Sequence, residues 1–548
     1  MTNRYALSTW IYGRLLGLVT ATAFVSLWVQ IDGLVGSRGL VPAVEQLSFL
    51  TRRLGDEAAW AWPTLAWLSA GDAALHVFAA AGTACGLLMM AGLAPRAALL
   101  GAWLFYLSLV NVGGPFTSFQ WDSLLLETLV MSALALPLVR FDAASREPPR
   151  AARWLVYWLL FRLMFASGAV KLASDDPTWA DLTALTFHYE TQPLPNPLSY
   201  HVHWLSPSFH RFSCAVMFAL ELGAPFLVFV PHRHARRAAF VLLVGLQLFI
   251  LLTGNYGFFN LLSIALCVPL LDDALLLEVW PKRWRPTVTE PRRSGSALRH
   301  AGMALGLAIV SLAIIVWSAL APGEFFLRYV VCGLALLVAA FLGLEARSSW
   351  QRRRKRVRPR ALVRAALSAS GNIVAALLLF VSTSVFLGAL LRESGEPMRE
   401  VARDLRPFRS INRYGLFAVM TTERDEIILE GSHDGTSWQP YEFPYKPGTV
   451  ERAPPWVPLG HMPRLDWQMW FAALGSAREN PWLARLMQKL LEGEPDVVAL
   501  LEPFGEPPRF VRAIRYRYHF ATPEERAQTG HWWRREDERI YAPSIQRP

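Results

Sequence analysis

The chain has 548 residues, of which 53% are hydrophobic and 18% are charged, and this composition is typical of a protein with many membrane spans. The net charge is +11, but residues 392–548 carry 22 basic and 23 acidic residues, so the excess positive charge lies in the first part of the chain. This balance excludes electrostatic binding of nucleic acid by the C-terminal region.

Long apolar runs recur over residues 1–391 and then stop. Their lengths are near the roughly 20 residues that a helix needs to cross a bilayer, so they predict a polytopic α-helical membrane region of about eleven spans. Residues 392–548 follow as a separate C-terminal domain. The predicted spans are residues 10–29, 73–93, 97–112, 121–139, 154–173, 212–230, 238–253, 258–280, 301–320, 326–345 and 365–391.

The basic loops predict the orientation, because loops rich in Lys and Arg remain on the cytoplasmic side of a membrane. Basic residues precede the first predicted span and follow the fourth, sixth, eighth and tenth, most densely at about 281–300 and 346–364. The N-terminus is therefore expected in the cytoplasm. An odd number of spans then exports the C-terminal domain, to the periplasm from a bacterial inner membrane or to the lumen from an endoplasmic-reticulum membrane.

Ionisable side chains within the predicted spans are candidates for function, because each costs about 2.5–3.5 kcal/mol on insertion. Counted from the span ends, Arg162 and Glu221 lie at nearly the same depth, which predicts an ion pair that fixes helix packing. A substrate or proton site is the alternative interpretation. The candidates are Asp122, Glu127, Arg162, Lys171 and Glu221.

The predicted exported loop at about 174–211 is rich in acidic residues and histidines. His201 and His203 have the spacing to share one face of a strand, where they could bind a metal ion. Four prolines in the same segment favour an irregular loop instead. We therefore expect no metal and no cofactor.

Common catalytic motifs are absent from the sequence, which has no G-x-S-x-G, no H-E-x-x-H and no glycine-rich phosphate loop. All four cysteines lie in or beside apolar runs, so the C-terminal domain has no disulfide framework or zinc site. No pair of interrupted spans suggests an inverted repeat, which disfavours a transporter. An enzyme is thus less expected than a non-enzymatic protein.

The C-terminal domain is predicted to be β-rich. A β-hairpin is predicted from the run Glu426–Gly431, the Asp-Gly turn that follows it and a second apolar run. Another strand is predicted at Phe510–Phe520, with a bulge at Ile514 where the alternation changes register. Helices are predicted at Trp467–Gly475 and Pro481–Leu491. We expect a β-sandwich with inserted helices.

Aromatic residues of this domain have two interpretations. Trp467, Trp470 and Phe471 are spaced to form one face of a helix, which would bind client proteins if it is exposed. The alternative is that the tryptophans form the core and a belt where the domain rests on the membrane. The candidates for client binding are Trp438, Arg464, Asp466, Trp467, Trp470 and Phe471.

Several motifs occur together in this chain. The C-terminal domain has RYGLF, EIILEGSHDGTSWQPYEF, YKPG, PPWV and PRLDWQMWFAALG, and the membrane region has SLWVQIDGLVGSRGLVPA, FQWDSLLLET, DPTWADLTALTFHYETQPLPNPLSYHVHWL and NYGFFNLL. The combination resembles the lipase maturation factor family. The resemblance implies a non-enzymatic, membrane-anchored factor that helps secreted lipases or other exported proteins to mature. Its partners would be those clients and membrane lipids.

A second, shorter resemblance involves Lys171. The segment GAVKLASDDPTW is similar to the vitamin K-dependent gamma-carboxylases and their bacterial relatives. It implies, as an alternative, an integral-membrane enzyme that modifies exported proteins or lipids with Lys171 as the base. A lysine near the membrane surface also extends to the headgroups without any catalytic role.

Overall fold

Apolar helices dominate the first part of the chain. The computed structural model describes residues 5–137, 147–281, 283, 359–390 and 396–547. The α-helices before the C-terminal domain are α1 (Ala6–Trp28), α2 (Ile31–Val35), α3 (Ala43–Leu54), α4 (Ala58–Ala61), α5 (Asp72–Ala91), α6 (Pro95–Val112), α7 (Gln120–Ser132), α8 (Arg150–Leu172), α9 (Pro177–Ala180), α10 (Ala184–Thr191), α11 (Pro197–His203), α12 (Pro207–Phe218), α13 (Arg233–Thr253), α14 (Phe259–Cys267), α15 (Asp273–Val279) and α16 (Pro359–Leu390).

Seven helical segments within these ranges are long and apolar enough to cross a membrane, which makes this an integral membrane protein. They are Ala6–Trp28, Asp72–Ala91, Pro95–Val112, Arg150–Leu172, Pro207–Val228, Arg233–Thr253 and Gly371–Leu390.

The predicted total of about eleven spans is not confirmed. The runs 121–139 and 258–280 contain shorter helices, α7 with 13 residues and α14 with 9. The runs 301–320 and 326–345 lie outside the described residues. Two acidic residues lower the hydropathy of α7, and Pro269 belongs to a 3-10 turn that ends the helical segment after α14.

The helix ends form two faces of the membrane region, as in the antiparallel pair α1 and α5, where Gly17 lies against Met90 and Gly82 lies against Phe24. The C-terminal domain contacts the chain just after the end of α1, where the Gln30 side-chain oxygen accepts a hydrogen bond from the Arg464 backbone N–H. We call this side the domain face. At the other end of α1, a 23-residue helix about 35 Å long, Arg153 and Arg236 contact the Tyr5 side chain. We call that side the basic face.

The segment 174–211 is helical rather than irregular. It forms α9, α10, α11 and the start of α12 on the domain face. Pro177, Pro197 and Pro207 each occupy the first turn of a helix, where proline costs no hydrogen bond, so these prolines begin helices instead of breaking them. His201 and His203 therefore lie on a helix, and the strand geometry proposed for a shared metal is wrong.

The C-terminal domain contains one antiparallel sheet of four strands in the order β2-β1-β3-β4. The predicted hairpin and the strand over Phe510–Phe520 are confirmed, and the β3–β4 register shifts on both sides of Ala513 and again after Arg515. The elements are α17 (Glu396–Leu405), β1 (Arg424–Ser432), β2 (Gln439–Tyr441), α18 (Arg464–Ala473), α19 (Pro481–Glu492), α20 (Pro495–Val498), β3 (Phe510–Phe520), α21 (Pro523–Thr529) and β4 (Trp533–Gln546).

A β-sandwich is not confirmed, because residues 396–547 hold no second sheet. Helices α18 and α19 cover one face of the sheet, which presents Ile427 and Leu429. On the other face, Ile428 belongs to a cluster that includes Tyr200 of the membrane region. Both faces are thus buried without a partner sheet, which removes the physical need for a sandwich.

One continuous apolar core joins the membrane region to the domain. Met462, Leu465 and Trp467 of the domain belong to the same buried cluster as Tyr12 and Leu124 of the helices. Ring contacts strengthen the junction, since the centroids of Trp467 and Trp121 are 4.8 Å apart. The domain is therefore packed onto the helices over a large apolar surface and does not hang from a flexible tether.

This shared core predicts that residues 396–548 do not fold alone. Removing the helices would expose Met462, Leu465 and Trp467 to water, and the apolar transfer term for such side chains is about 1.5–3 kcal/mol each. The isolated segment should bind a hydrophobic dye and lose near-ultraviolet circular dichroism while keeping part of its far-ultraviolet signal. A cooperative melt of the isolated segment at the transition temperature of the full chain would contradict this.

Candidate functional site

The interface between the C-terminal domain and the domain face collects most of the residues predicted to be functional. Its first contact is between Arg464, in the first turn of α18, and Asp122, in the first turn of α7. The two guanidinium Nη atoms lie 2.8 and 2.9 Å from the two carboxylate oxygens, and both side chains are fully buried. The Tyr106 hydroxyl also donates to Asp122, and Arg464 donates to the Phe116 carbonyl at 2.7 Å.

Arg464 and Asp122 therefore form a bidentate ion pair with further hydrogen bonds on each partner. A buried pair of this kind is expensive to break, because one charge would remain without a partner in an apolar surrounding. The sequence-based assignment of Arg464 to a client-binding surface is wrong. Its side chain is 0% exposed and points into the membrane region.

A second network surrounds Glu127 of α7. Arg162 of α8 donates to one carboxylate oxygen. The other oxygen accepts from the Tyr414 hydroxyl at 2.6 Å and from the Asn412 backbone at 2.8 Å. Because Asn412 and Tyr414 belong to the segment before the sheet, this network also ties the C-terminal domain to the helices.

The predicted ion pair between Arg162 and Glu221 is wrong. Arg162 pairs with Glu127, whereas both carboxylate oxygens of Glu221 accept from Lys171 Nζ, at 2.8 and 3.0 Å. Depth along a helix does not define the face on which a side chain lies. In addition, Lys171 reaches back along α8 to the Ser167 carbonyl, 3.1 Å away, so its charge lies deeper than its backbone.

Glu221 lies in a five-residue π-helical turn, Ala219–Gly223, that interrupts the span begun by α12. Such turns are rare and often accompany functional positions. Here the turn aligns the carboxylate with Lys171, whose Nζ also lies 5.4 Å from the centre of the Trp179 ring. Both members of the pair are less than one tenth exposed.

A third contact joins the sheet to the loop 174–211. Arg424, the first residue of β1, donates to the carbonyls of Glu190, Gln192 and Pro193. Its charge is balanced by Glu426, which also pairs with Lys446 at 2.9 Å. The guanidinium thereby satisfies carbonyls that a proline-rich turn leaves without partners.

The Glu190 carboxylate reaches the far end of β3. It accepts from the Phe520 backbone at 2.8 Å and lies 3.2 Å from His519 Nδ1. Burial raises the pKa of Glu190, but hydrogen bonds from His519 and Phe520 and the charge of His203 together hold it below its usual value. The hydrogen bond to Glu190 raises the pKa of His519.

Asp466 has a structural position within the domain. Its carboxylate accepts from the backbone N–H groups of Tyr445 and Lys446, at 2.8 and 2.9 Å, and so fixes the YKPG turn. Burial raises the pKa of Asp466 to about 6, against the opposing effect of these hydrogen bonds. A side chain that is 3% exposed is unavailable to a client, so this candidate is also corrected.

The aromatic candidates divide between core and surface. Trp467 and Trp470 are 3% and 6% exposed, and Trp470 donates to the Thr191 carbonyl, so both form core contacts. Phe471 is 42% exposed, although its ring also lies 5.0 Å from that of Trp470. Trp438 is partly buried under the Arg512 guanidinium, 4.1 Å from its ring centre. The interpretation of the tryptophan pair as an exposed client-binding face is therefore wrong.

Sequence reasoning missed Asn412, Tyr414 and Arg424 as interface residues. Arg424 had a usable signal, because Arg and Glu two residues apart on a strand lie on the same face and together suggest a buried pair. Asn412 and Tyr414 had no such signal. Their role depends on Glu127, which is 285 residues away from Asn412 in the chain.

Comparisons with known proteins agree with both parts of the fold. Residues 7–278 match the family model described as the lipase maturation factor transmembrane domain, and residues 410–543 match the lipase maturation factor C-terminal domain. No solved structure matches the chain.

Curated relatives match over nearly the whole chain. It is 36% identical to lipase maturation factor 2 of Homo sapiens, over 95% of this chain and 80% of that protein. It is 36% identical to lipase maturation factor 2 of Xenopus laevis, over 99% of this chain and 82% of that protein. It is 33% identical to lipase maturation factor 1 of Bos taurus, over 97% and 88%.

The buried pair at the interface predicts a large stability difference between single and double variants. Arg464→Met leaves the Asp122 charge buried without a partner and should lower the free energy of unfolding by about 3–5 kcal/mol. Adding Asp122→Leu removes that charge and should recover much of the loss. Denaturant unfolding of the full chain in detergent measures all three proteins.

Arg485→Met is the matched control for this comparison. Arg485 also joins the domain to the membrane region, through Glu45 at 2.8 Å, but both side chains are at least one third exposed. Its loss should cost less than about 1 kcal/mol. Equal effects of Arg464→Met and Arg485→Met would show that the buried pair does not hold the domain in place.

Proposed function

Because this chain belongs to the lipase maturation factor family, we propose that it is a membrane-anchored factor that brings exported lipases, or other exported proteins, to their active folded state. The observation that carries the proposal is the match of both the membrane region and the C-terminal domain to that family. The relatives are named lipase maturation factors 1 and 2, and these names supply the client class, lipases.

We further propose that the protein acts by holding its client and not by chemistry. The charged side chains that the sequence predicts to be functional inside the helices are used in structural pairs: Asp122 with Arg464, Glu127 with Arg162, and Glu221 with Lys171. Lys171 directs its three N–H donors at Glu221 and the Ser167 carbonyl. A group occupied in this way is poorly placed to accept a proton from a substrate.

In the proposed orientation the domain face is the exported side. On the domain face, the segment 173–206 connects α8 to α12 and contains no Lys or Arg. By contrast, the basic face carries a set of arginines near the helix ends, and such a surplus marks the cytoplasmic side. The set includes Arg96, Arg150, Arg153, Arg233, Arg236 and Arg237.

The proposed client-contact surface is the outward side of α18. Phe471 is 42% exposed and Leu474 is 51% exposed, three residues further on, so the two lie on one side of the chain. An apolar pair of this kind suits a client whose own apolar residues are not yet buried. The rigid junction below it would hold this surface at a fixed height above the membrane.

The alternative function is an integral-membrane enzyme with Lys171 as its base. The π-helical turn at Glu221 and the burial of the Lys171–Glu221 pair are the observations that favour it. In the holding function the Lys171–Glu221 pair is structural, whereas in the enzyme Lys171 accepts a proton. Substitutions at this pair therefore distinguish the two functions.

The orientation predicts where reporter fusions are active. A reporter that works only after export should be active when fused to Pro548 and inactive when fused within the basic run near Arg356. A reporter that works only in the cytoplasm should give the reverse pattern. Export-dependent activity at Arg356, or cytoplasmic activity at Pro548, would invert the proposed topology.

The holding function predicts how variants affect client maturation. In a cell that makes this protein and an exported lipase, deleting the gene should lower lipase activity per lipase molecule. Restoring the Lys171→Met/Glu221→Gln variant should restore that activity, because both charges are removed together and no buried charge remains. Phe471→Ala/Leu474→Ala should weaken client binding by about 2–4 kcal/mol and fail to restore it.

Two controls make this comparison decisive. Ile540→Ala removes an apolar side chain that is 72% exposed elsewhere on the domain, and it should restore the lipase activity fully. Thermal melts of all full-length variants exclude unfolding as the cause of any loss. If the Lys171→Met/Glu221→Gln variant folds but loses about 10²-fold in activity or more, the enzymatic alternative is correct. Unchanged lipase activity after deletion of the gene would reject both functions.

A further inference from the structure

An uncharged loop of the C-terminal domain lies against the membrane helices. Residues 453–460 have the sequence APPWVPLG, without a charged or hydrogen-bonding side chain except the Trp456 indole N–H. The surrounding domain is rich in charge, so this composition is a local exception. Trp456 is 56% exposed and Leu459 is 67% exposed.

Contacts show where the loop runs. The Met462 backbone N–H donates to Ser26 Oγ of α1 at 2.8 Å. Gly460 lies against Thr22 of α1 and Leu261 of α14, so closely that an added Cβ would meet Thr22, and its φ of +81° favours glycine. Since Ser26 and Thr22 are one helical turn apart, the loop descends about 6 Å along α1, away from the domain.

The side of α1 that the loop covers continues a lipid-facing stripe. Leu18, Val25 and Val29 are 47%, 44% and 69% exposed, and with Thr22 they follow helical spacing along one side of α1. Exposed apolar residues on a helix that crosses a membrane face lipid. The loop that rests on Thr22, in the middle of this stripe, therefore lies at membrane depth.

We propose that residues 453–460 insert into the lipid leaflet on the domain face, where Trp456 and Leu459 contact the acyl chains near the headgroups. The partner is the bilayer lipid itself, as the continuity with the α1 stripe indicates. Backbone N–H groups are costly in hydrocarbon, and prolines at 454, 455 and 458 remove three of them from this loop. The His461 N–H is satisfied by the Pro458 carbonyl at 2.9 Å.

This inference goes beyond client maturation, because it concerns how the domain is seated on the membrane. It does not depend on any client. A second copy of this chain or an apolar segment of a client on the same surface would instead shield it from both lipid and water.

The test uses the full-length protein in phosphatidylcholine vesicles. Leu459→Cys and Ile540→Cys are each labelled with a thiol-reactive fluorophore. Ile540 on β4 is 72% exposed and serves as the matched control in water. Unsubstituted protein labelled in parallel measures the signal from the native cysteines. Lipids with brominated acyl chains should quench the label at 459 several-fold more than the label at 540, and aqueous iodide should show the opposite order.

Other results would overturn the proposal. Iodide quenching at 459 as strong as at 540 would place the loop in water. Protection of position 459 from both quenchers would show that protein covers it, either a second copy or a client. If Leu459→Cys lowers the melting temperature, Trp456→Cys provides the same measurement at a second position.

Discussion

Burial of charge at the junction between domain and membrane region constrains the rest of this structure. Asp122 and Arg464 come from segments 342 residues apart in the chain, yet each fully buries its charge against the other. Neither charge is tolerated alone in an apolar surrounding. The membrane helices and the C-terminal domain must therefore assemble together. Two further polar contacts cross the junction, the hydrogen bonds of Glu127 to Asn412 and Tyr414 and those of Arg424 to the carbonyls of Glu190, Gln192 and Pro193.

This coupling explains why the charged candidates lie in structural contacts. Charged side chains in a membrane region suggest catalysis or transport because they are expensive there. Here two of these groups have a structural role at the junction, since the Asp122–Arg464 pair and the hydrogen bonds of Glu127 to Asn412 and Tyr414 specify one docking position for the domain. The apolar core around Trp467 supplies the buried area of the junction. The bidentate ion pair fixes the position of the domain on the helices, because apolar surfaces alone tolerate small shifts and a bidentate pair does not.

A fixed domain changes what a maturation factor of this shape does for its client. The proposed Phe471 and Leu474 surface is held relative to the membrane, so a client bound there would be kept near the bilayer. The proposed lipid contact of Trp456 and Leu459 acts in the same direction. Together they favour a mechanism of confinement close to the membrane over one in which the domain moves freely around its client.

Much of the architecture follows from local sequence. Runs such as those of α1, α5 and α13 predict membrane helices because their hydropathy is a sum over neighbours, and the β1–β2 hairpin follows from an Asp-Gly turn between apolar runs. The prolines of the loop 174–211 predict an irregular segment, but the segment is helical. Proline begins a helix as readily as it interrupts one, and only the surrounding structure decides between the two.

The sequence by itself determined which residues are unusual, and tertiary structure decided what they contact. The spacing of Trp467, Trp470 and Phe471 correctly placed residues on one helix, but whether that helix faces water or the membrane region depends on packing across 342 residues of chain. Depth in a span likewise could not choose Glu127 over Glu221 as the partner of Arg162. Periodicity is a local property, whereas pairing depends on which helix faces are brought together when the chain folds.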